Sequence, residues 1–128
     1  MLPGNLAEIQ LLIMEQVKLN IRENSWLARI ARLVLKSPNV AMVLGKTIHL
    51  SGVGRAQFLQ DQAWVAHELC HIEQFKRYGF FRFLYLYLAE SCRKGYYNNC
   101  FEVEAREAGT KTRQHVTAAN PPKKGNAL

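Results

Sequence analysis

Residues 67 to 71 read His67-Glu68-Leu69-Cys70-His71, and they lie inside a helix-favouring run from Leu59 to Tyr78 that Gly79 ends. On a helix, positions i and i+4 stack on one face. The two imidazoles could therefore aim at one point, at the roughly 2.0–2.1 Å that a Zn–N bond needs. Glu68 is rotated away by one residue, so it need not ligate; it can stand beside a water and take its proton. One turn thus offers two metal ligands and a general base. The plainer alternative is a pair of core histidines satisfied by packing, and a third ligand downstream would separate the two readings.

The surrounding run supports a helix over 59–78. Leu59, Ala63, Ala66 and Cys70 form one stripe, with Trp64, Leu69 and Ile72 nearby, Asp61 as an acid in the first turn, and Lys76 and Arg77 in the last. Downstream, Phe80 to Cys92 is strongly apolar and closed by Gly95. At well under roughly 18 residues it is too short to cross a membrane. It could lie on one, helped by Arg82, Arg93 and Lys94, but the reading preferred is a buried helix covering the motif helix. Residues 101–108 then predict a final helix, capped by Asn98 or Asn99, and 111–128 a polar, disordered tail.

Upstream, Leu6, Ile9, Leu12, Ile13, Val17 and Ile21 recur at helical steps and predict a helix over 5–22. A second helix is predicted over 25–36, with Ser25 as its cap and Trp26, Leu27, Ile30, Leu33 and Val34 as its apolar side. The period then changes. Residues 40–44 and 47–50 are β-prone, and Gly45-Lys46 between them is the signal of a type II′ hairpin. His49, on the second strand, reads as structural or surface rather than as a ligand. The fold class expected is α+β, mostly helical: one domain over 1–110 with a small β-hairpin beside the motif helix.

Composition narrows the partners. The chain has 128 residues and a formal charge of +7, from 17 Lys and Arg against 10 Asp and Glu. The basic residues are scattered, and no groove-reading motif accompanies them, so nucleic acid is not expected. Cys70, Cys92 and Cys100 follow no finger or redox spacing, which favours free thiols in a reducing compartment, with Cys70 a small buried apolar residue. No signal peptide and no spanning segment is visible in the sequence, so the expected localisation is cytoplasmic.

A catalytic zinc usually has three protein ligands and one open position. No third histidine follows at the spacing of an extended H-E-x-x-H-x-x-G-x-x-H motif, and His115 sits near the tail. The acidic helix offers Glu102, Glu104 and Glu107 instead. With Asn99 as cap, Glu102 also falls where a capping box would fold it back to the backbone. Glu104 lies about 200° around the helix from Glu102, so the two do not easily share one ion.

His67-Glu68-x-x-His71 followed by Asn99-Cys100-Phe101-Glu102-Val103-Glu104-Ala105 resembles the gluzincin metallopeptidases, in particular small bacterial domains in which H-E-x-x-H precedes an N-P-x-E-x-E-A stretch. The resemblance covers roughly residues 40 to 109. It implies a helical fold with a small hairpin or sheet over the cleft, Zn²⁺ as cofactor, His67, His71 and Glu102 as ligands, and Glu68 as general base. Two positions depart from the pattern: Cys100 stands where proline is usual, and Arg106 where many gluzincins carry an acid that orients a ligand histidine. The function expected is zinc-dependent hydrolysis of peptide bonds, with a peptide or protein substrate laid along the hairpin and Tyr96 or Tyr97 as candidate supports for an oxyanion. The alternatives are a zinc-stabilised binding domain without turnover and a basic membrane-surface protein.

Overall fold

The computed structural model describes residues 19–119. Three short strands form one sheet in the order β1-β3-β2: β1 is Asn20–Arg22, β2 is Val40–Leu44 and β3 is Thr47–Ser51. Between β1 and β2 runs helix α1, Trp26–Leu35. After the sheet come α2, Arg55–Gln60, and α3, Gln62–Tyr78, then α4, Phe80–Asn98, and α5, Cys100–Ala119. The class is α+β and mostly helical, as the periodicity predicts.

The hairpin forms where the β-prone runs place it. β2 and β3 pair antiparallel from Val40↔Ser51 to Leu44↔Thr47. Gly45 takes φ +67° at the first turn position, the left-handed value that a type II′ turn requires there. β3 is the central strand, with Ile48, His49, Leu50 and Ser51 all buried. β2 is an edge.

Four expectations need correction. The first helix expected over 5–22 does not include residues 20–22; they form β1, parallel to β3 with Ile21 opposite Ile48. Pairing with β3 overrides the helical spacing there and leaves half-buried Ile21 between exposed Asn20 and Arg22, the alternation of a strand. The rest of that expected helix, 5–18, lies outside the described residues. Second, the motif helix does not begin at 59. Asp61 has extended backbone angles and separates α2 from α3, and its Oδ1 accepts from the Trp64 N–H at 3.1 Å. It is an N-cap rather than a first-turn acid.

Third, the final helix does not stop at 108; it runs through Gly109 to Ala119. Gly109 is a packing residue here and not a terminator. It is buried, and a Cβ there would lie 3.0 Å from the carbonyl oxygen of Ala63. The tail expected from 111 is therefore helical as far as Ala119, and 120–128 lie outside the described residues. Fourth, the apolar stretch 80–92 is a helix, but Gly95 kinks it rather than closing it, helical structure resuming to Asn98, and only one side of it covers α3. Phe83 is buried, whereas Phe81, Tyr85 and Leu88 face outward.

Two apolar clusters hold these elements. Ile48, Leu50, Val53, Phe58, Val65 and Ile72 pack between the sheet, α2 and α3. Phe75, Phe83 and Phe101 join α3, α4 and α5, with Tyr78, Leu86 and Tyr87 around them. Their rings meet edge to face, with centroids 4.6 Å apart for Phe75 and Phe83 and 5.0 Å for Phe83 and Phe101, a favoured aromatic arrangement. α3 supplies Val65 and Ile72 to the first cluster and Phe75 to the second, so it is fixed on two sides. α5 lies along α3, and the motif side chains occupy that seam. No helix among the described residues is long and apolar enough to cross a membrane.

Candidate metal centre

The motif residues and Glu102 meet at the α3–α5 seam. His67 and His71 come from consecutive turns of α3, with ring centroids 5.1 Å apart. Glu102 comes from the first turn of α5. Its Oε2 lies 3.3 Å from His67 Nε2, and its Oε1 lies 3.1 Å from His71 Nε2. The three ligand atoms all fall within 4.8 Å of one another, so the cluster can hold a metal ion.

The start of α5 is set by Asn99, which is fully buried. Its Oδ1 accepts from the Phe101 N–H at 2.9 Å, the bond of an N-cap. Its Nδ2 donates to the Tyr87 carbonyl at 3.0 Å and to Ser91 Oγ at 2.8 Å, fastening α5 to α4. With the cap made by Asn99, the Glu102 side chain is turned to the imidazoles rather than folded back in a capping box. Glu104 points elsewhere. Its Oε1 is 3.7 Å from Cys70 Sγ and 3.6 Å from Arg77, so it is not part of the cluster. The Cys70 thiol, half-buried and beside that carboxylate, is pushed up to about 12 by burial first and the Glu104 charge second; it stays protonated. Cys92 and Cys100 are free and exposed.

Two residues that the sequence does not single out complete the cluster. Gln74 is fully buried one turn after His71, with its Oε1 2.9 Å from His71 Nδ1. Its Nε2 donates to the Phe101 carbonyl at 3.1 Å. That second bond fixes the amide's orientation, so His71 must donate from Nδ1 and present Nε2 to the cluster. The i, i+3 spacing is the signal that could have found it. Tyr87, on α4, donates its hydroxyl to Glu102 Oε1 at 2.7 Å; nothing in sequence spacing marks it. Arg106, where an orienting acid is expected, faces away. It donates to the Tyr97 carbonyl at 2.6 Å, with its guanidinium 3.9 Å from the centre of the Tyr97 ring. Gln74 occupies the orienting role instead, on a different helix.

The charges follow from these neighbours. Burial alone would raise Glu102, but hydrogen bonds from His67 and His71 outweigh it and hold the carboxyl far below its ordinary range. His71 is lowered by burial, but its bond to Glu102, the Glu68 and Glu102 charges and the Gln74 bond together outweigh this and raise it to about 9. Tyr87 is driven upward by burial and then by the Glu102 charge, so its hydroxyl keeps its proton. Glu68 is only 3% exposed, and burial raises it to about 7. Its Oε2 has no hydrogen-bond partner among the described residues. A buried carboxylate oxygen without a partner is costly, and it lines the same cleft as His67, His71 and Glu102. Two imidazole nitrogens, one ionised carboxylate and an adjacent carboxyl that titrates near neutrality suit a divalent cation with an open position.

The cleft holds about 400 Å³, within the usual range for ligand sites. α1 and β2 form one wall and α4 the other, and Tyr96 lines it while Tyr97 does not. His49 is away from it, buried at the α1–sheet seam with its Nδ1 2.7 Å from Ser25 Oγ. That contact also redirects Ser25, which sits at the N-cap position of α1 without a side-chain capping bond. His115 is exposed. No protein-family model, curated protein or solved structure matches the chain.

Proposed function

We propose that the chain is a zinc-dependent hydrolase of peptide or related amide bonds, of the gluzincin kind, with His67, His71 and Glu102 as metal ligands and Glu68 as general base. The observation that carries this reading is the partnerless Oε2 of buried Glu68, set in one cleft with the His-His-Glu cluster. Zn²⁺ held there would lower the pKa of a water and polarise a carbonyl. Glu68 takes the water proton on its carboxylate and delivers it to the leaving nitrogen. Gln74 holds His71 in the tautomer that presents Nε2, and Tyr87 holds the Glu102 carboxylate in place. β2, an edge strand that also walls the cleft, can take an extended peptide by strand addition. Tyr96, which lines the cleft as Tyr97 does not, is the better placed of the two tyrosines to support an oxyanion.

The test is Glu68→Gln. Metal content should match the parent protein, while hydrolysis of a mixed peptide substrate pool falls by about a hundredfold or more. Unchanged hydrolysis would remove Glu68 from the chemistry. A second reading has an observation of its own: the ligands come from two helices that pack along one another, so an ion would also fasten α3 to α5. A parent protein that binds zinc and gains stability from it, yet hydrolyses no peptide, would select that binding-domain reading.

A further inference from the structure

Helix α1 is built the wrong way round for an ordinary surface helix. Its inward side is small, with Ala28 buried, while Trp26, Ile30, Leu33 and Val34 are turned outward; Leu33 is 79% and Val34 74% exposed. These four fall within one face of the helix. The charged residues of α1 and its C-cap are all basic: Arg29, Arg32 and Lys36. Helix α4 does the same independently. Phe81, Tyr85 and Leu88 recur at i, i+4 and i+7, with Phe81 82% and Tyr85 72% exposed.

The two apolar faces meet at the cleft. Ile30 and Val34 from α1 and Leu88 from α4 are exposed and line its wall at the same time. Exposed cations stand near them in the chain. Gly45 packs against the Phe80 ring at the start of α4; Lys46, beside Gly45 at the hairpin tip, and Arg82, two residues after Phe80, are both exposed. Farther along α4 stands Arg93, and the one acid of that helix, Glu90, is bridged to Lys94 at 3.5 Å. Trp and Tyr among aliphatic side chains, bordered by Lys and Arg, is the composition of a surface that settles into a lipid headgroup layer.

We propose that this face docks on an anionic phospholipid bilayer, with the cleft mouth turned to the lipid. The cations are drawn to the negative surface potential, and the outward aromatic and aliphatic side chains leave water at the interface. This goes beyond the hydrolase reading and does not depend on it, because the docking residues Leu33, Phe81 and Tyr85 lie outside the metal cluster and the cleft wall.

The test is co-sedimentation of the full chain with vesicles of phosphatidylcholine alone and of phosphatidylcholine mixed with phosphatidylglycerol, at low and high salt. Binding is expected to the anionic vesicles, weakened by salt. The double variant Leu33→Glu with Phe81→Glu is expected to lower that affinity by about tenfold or more, with circular dichroism and metal content unchanged, since both side chains are exposed. Three results would overturn the proposal. One is no binding to anionic vesicles at low salt. Another is equal binding by parent and double variant, which would leave charge alone as the cause. The third is a parent chain that light scattering shows to be dimeric and the double variant monomeric, which would assign the face to a second copy.

Discussion

Two seams in this molecule bury imidazoles, and they treat them oppositely. At the α1–sheet seam, His49 meets a neutral hydroxyl, Ser25 Oγ at 2.7 Å, and burial followed by the Arg22 charge push it below its ordinary value. At the α3–α5 seam, His71 meets the ionised Glu102 and is raised to about 9. Burial disfavours the charged form in both places. The partner decides the outcome, and only the second seam gathers donor atoms that converge on one point. A buried histidine is thus not informative by itself; what its other neighbours do is.

The strongest way to break that contrast is Glu102→Ala. Elemental analysis after dialysis should show zinc falling from about one ion per chain to almost none. Zinc retained would mean that the seam binds through some other residue. Next is Gln74→Leu, which removes the acceptor of the His71 Nδ1 proton. Zinc affinity, measured by competition with a chelator, should weaken by about ten- to a hundredfold, and Gln74→Glu, which keeps an acceptor, should recover most of it. Equal affinity in both variants would leave Gln74 a packing residue only.

A packing change at the same seam comes third. Gly109→Ala places a methyl 3.0 Å from the Ala63 carbonyl oxygen, and that backbone atom cannot swing aside. We expect a loss of about 1–3 kcal/mol in denaturant unfolding, although alanine is the better helix former. A stabilised variant would show that α3 and α5 are free to separate there. The smallest effect belongs to the other seam. Because His49 is depressed in the folded state, the unfolded chain takes up that proton first. Its share of stability is intact above about pH 6.5 and is lost as pH falls through the folded value. The unfolding midpoint should decline on acidification below that point, and less steeply in His49→Gln. Parallel declines would mean that His49 keeps its ordinary value.

The sequence carried the parts of this fold that depend on local pattern. The hairpin rests on Gly45 between two β-prone runs, and the end of α3 on Gly79; both are decided within a few residues. It also carried His67, Glu68 and His71, because one helical turn fixes their relation. Glu102 needed a comparison across 35 positions, which the family resemblance supplied as an expectation and the seam geometry places. Misreadings arose where tertiary contacts override the local pattern. Residues 20–22 carry helical spacing but pair with β3. The last helix is expected to end at 108, yet α5 continues, with Gly109 lying against the Ala63 carbonyl of α3. Tyr87 could not be found at all: its hydroxyl reaches Glu102 from another helix, with no periodic relation between the two.

The distance along the chain between His71 and Glu102 has one more consequence. All of α4 lies between them. An ion bound at the cluster would therefore act as a removable tether, closing a loop that contains a whole helix and excluding from the unfolded ensemble the conformations in which its ends drift apart. Metal availability would then set how long the chain survives proteases, since an occupied site draws the population toward the folded form in proportion to the free ion.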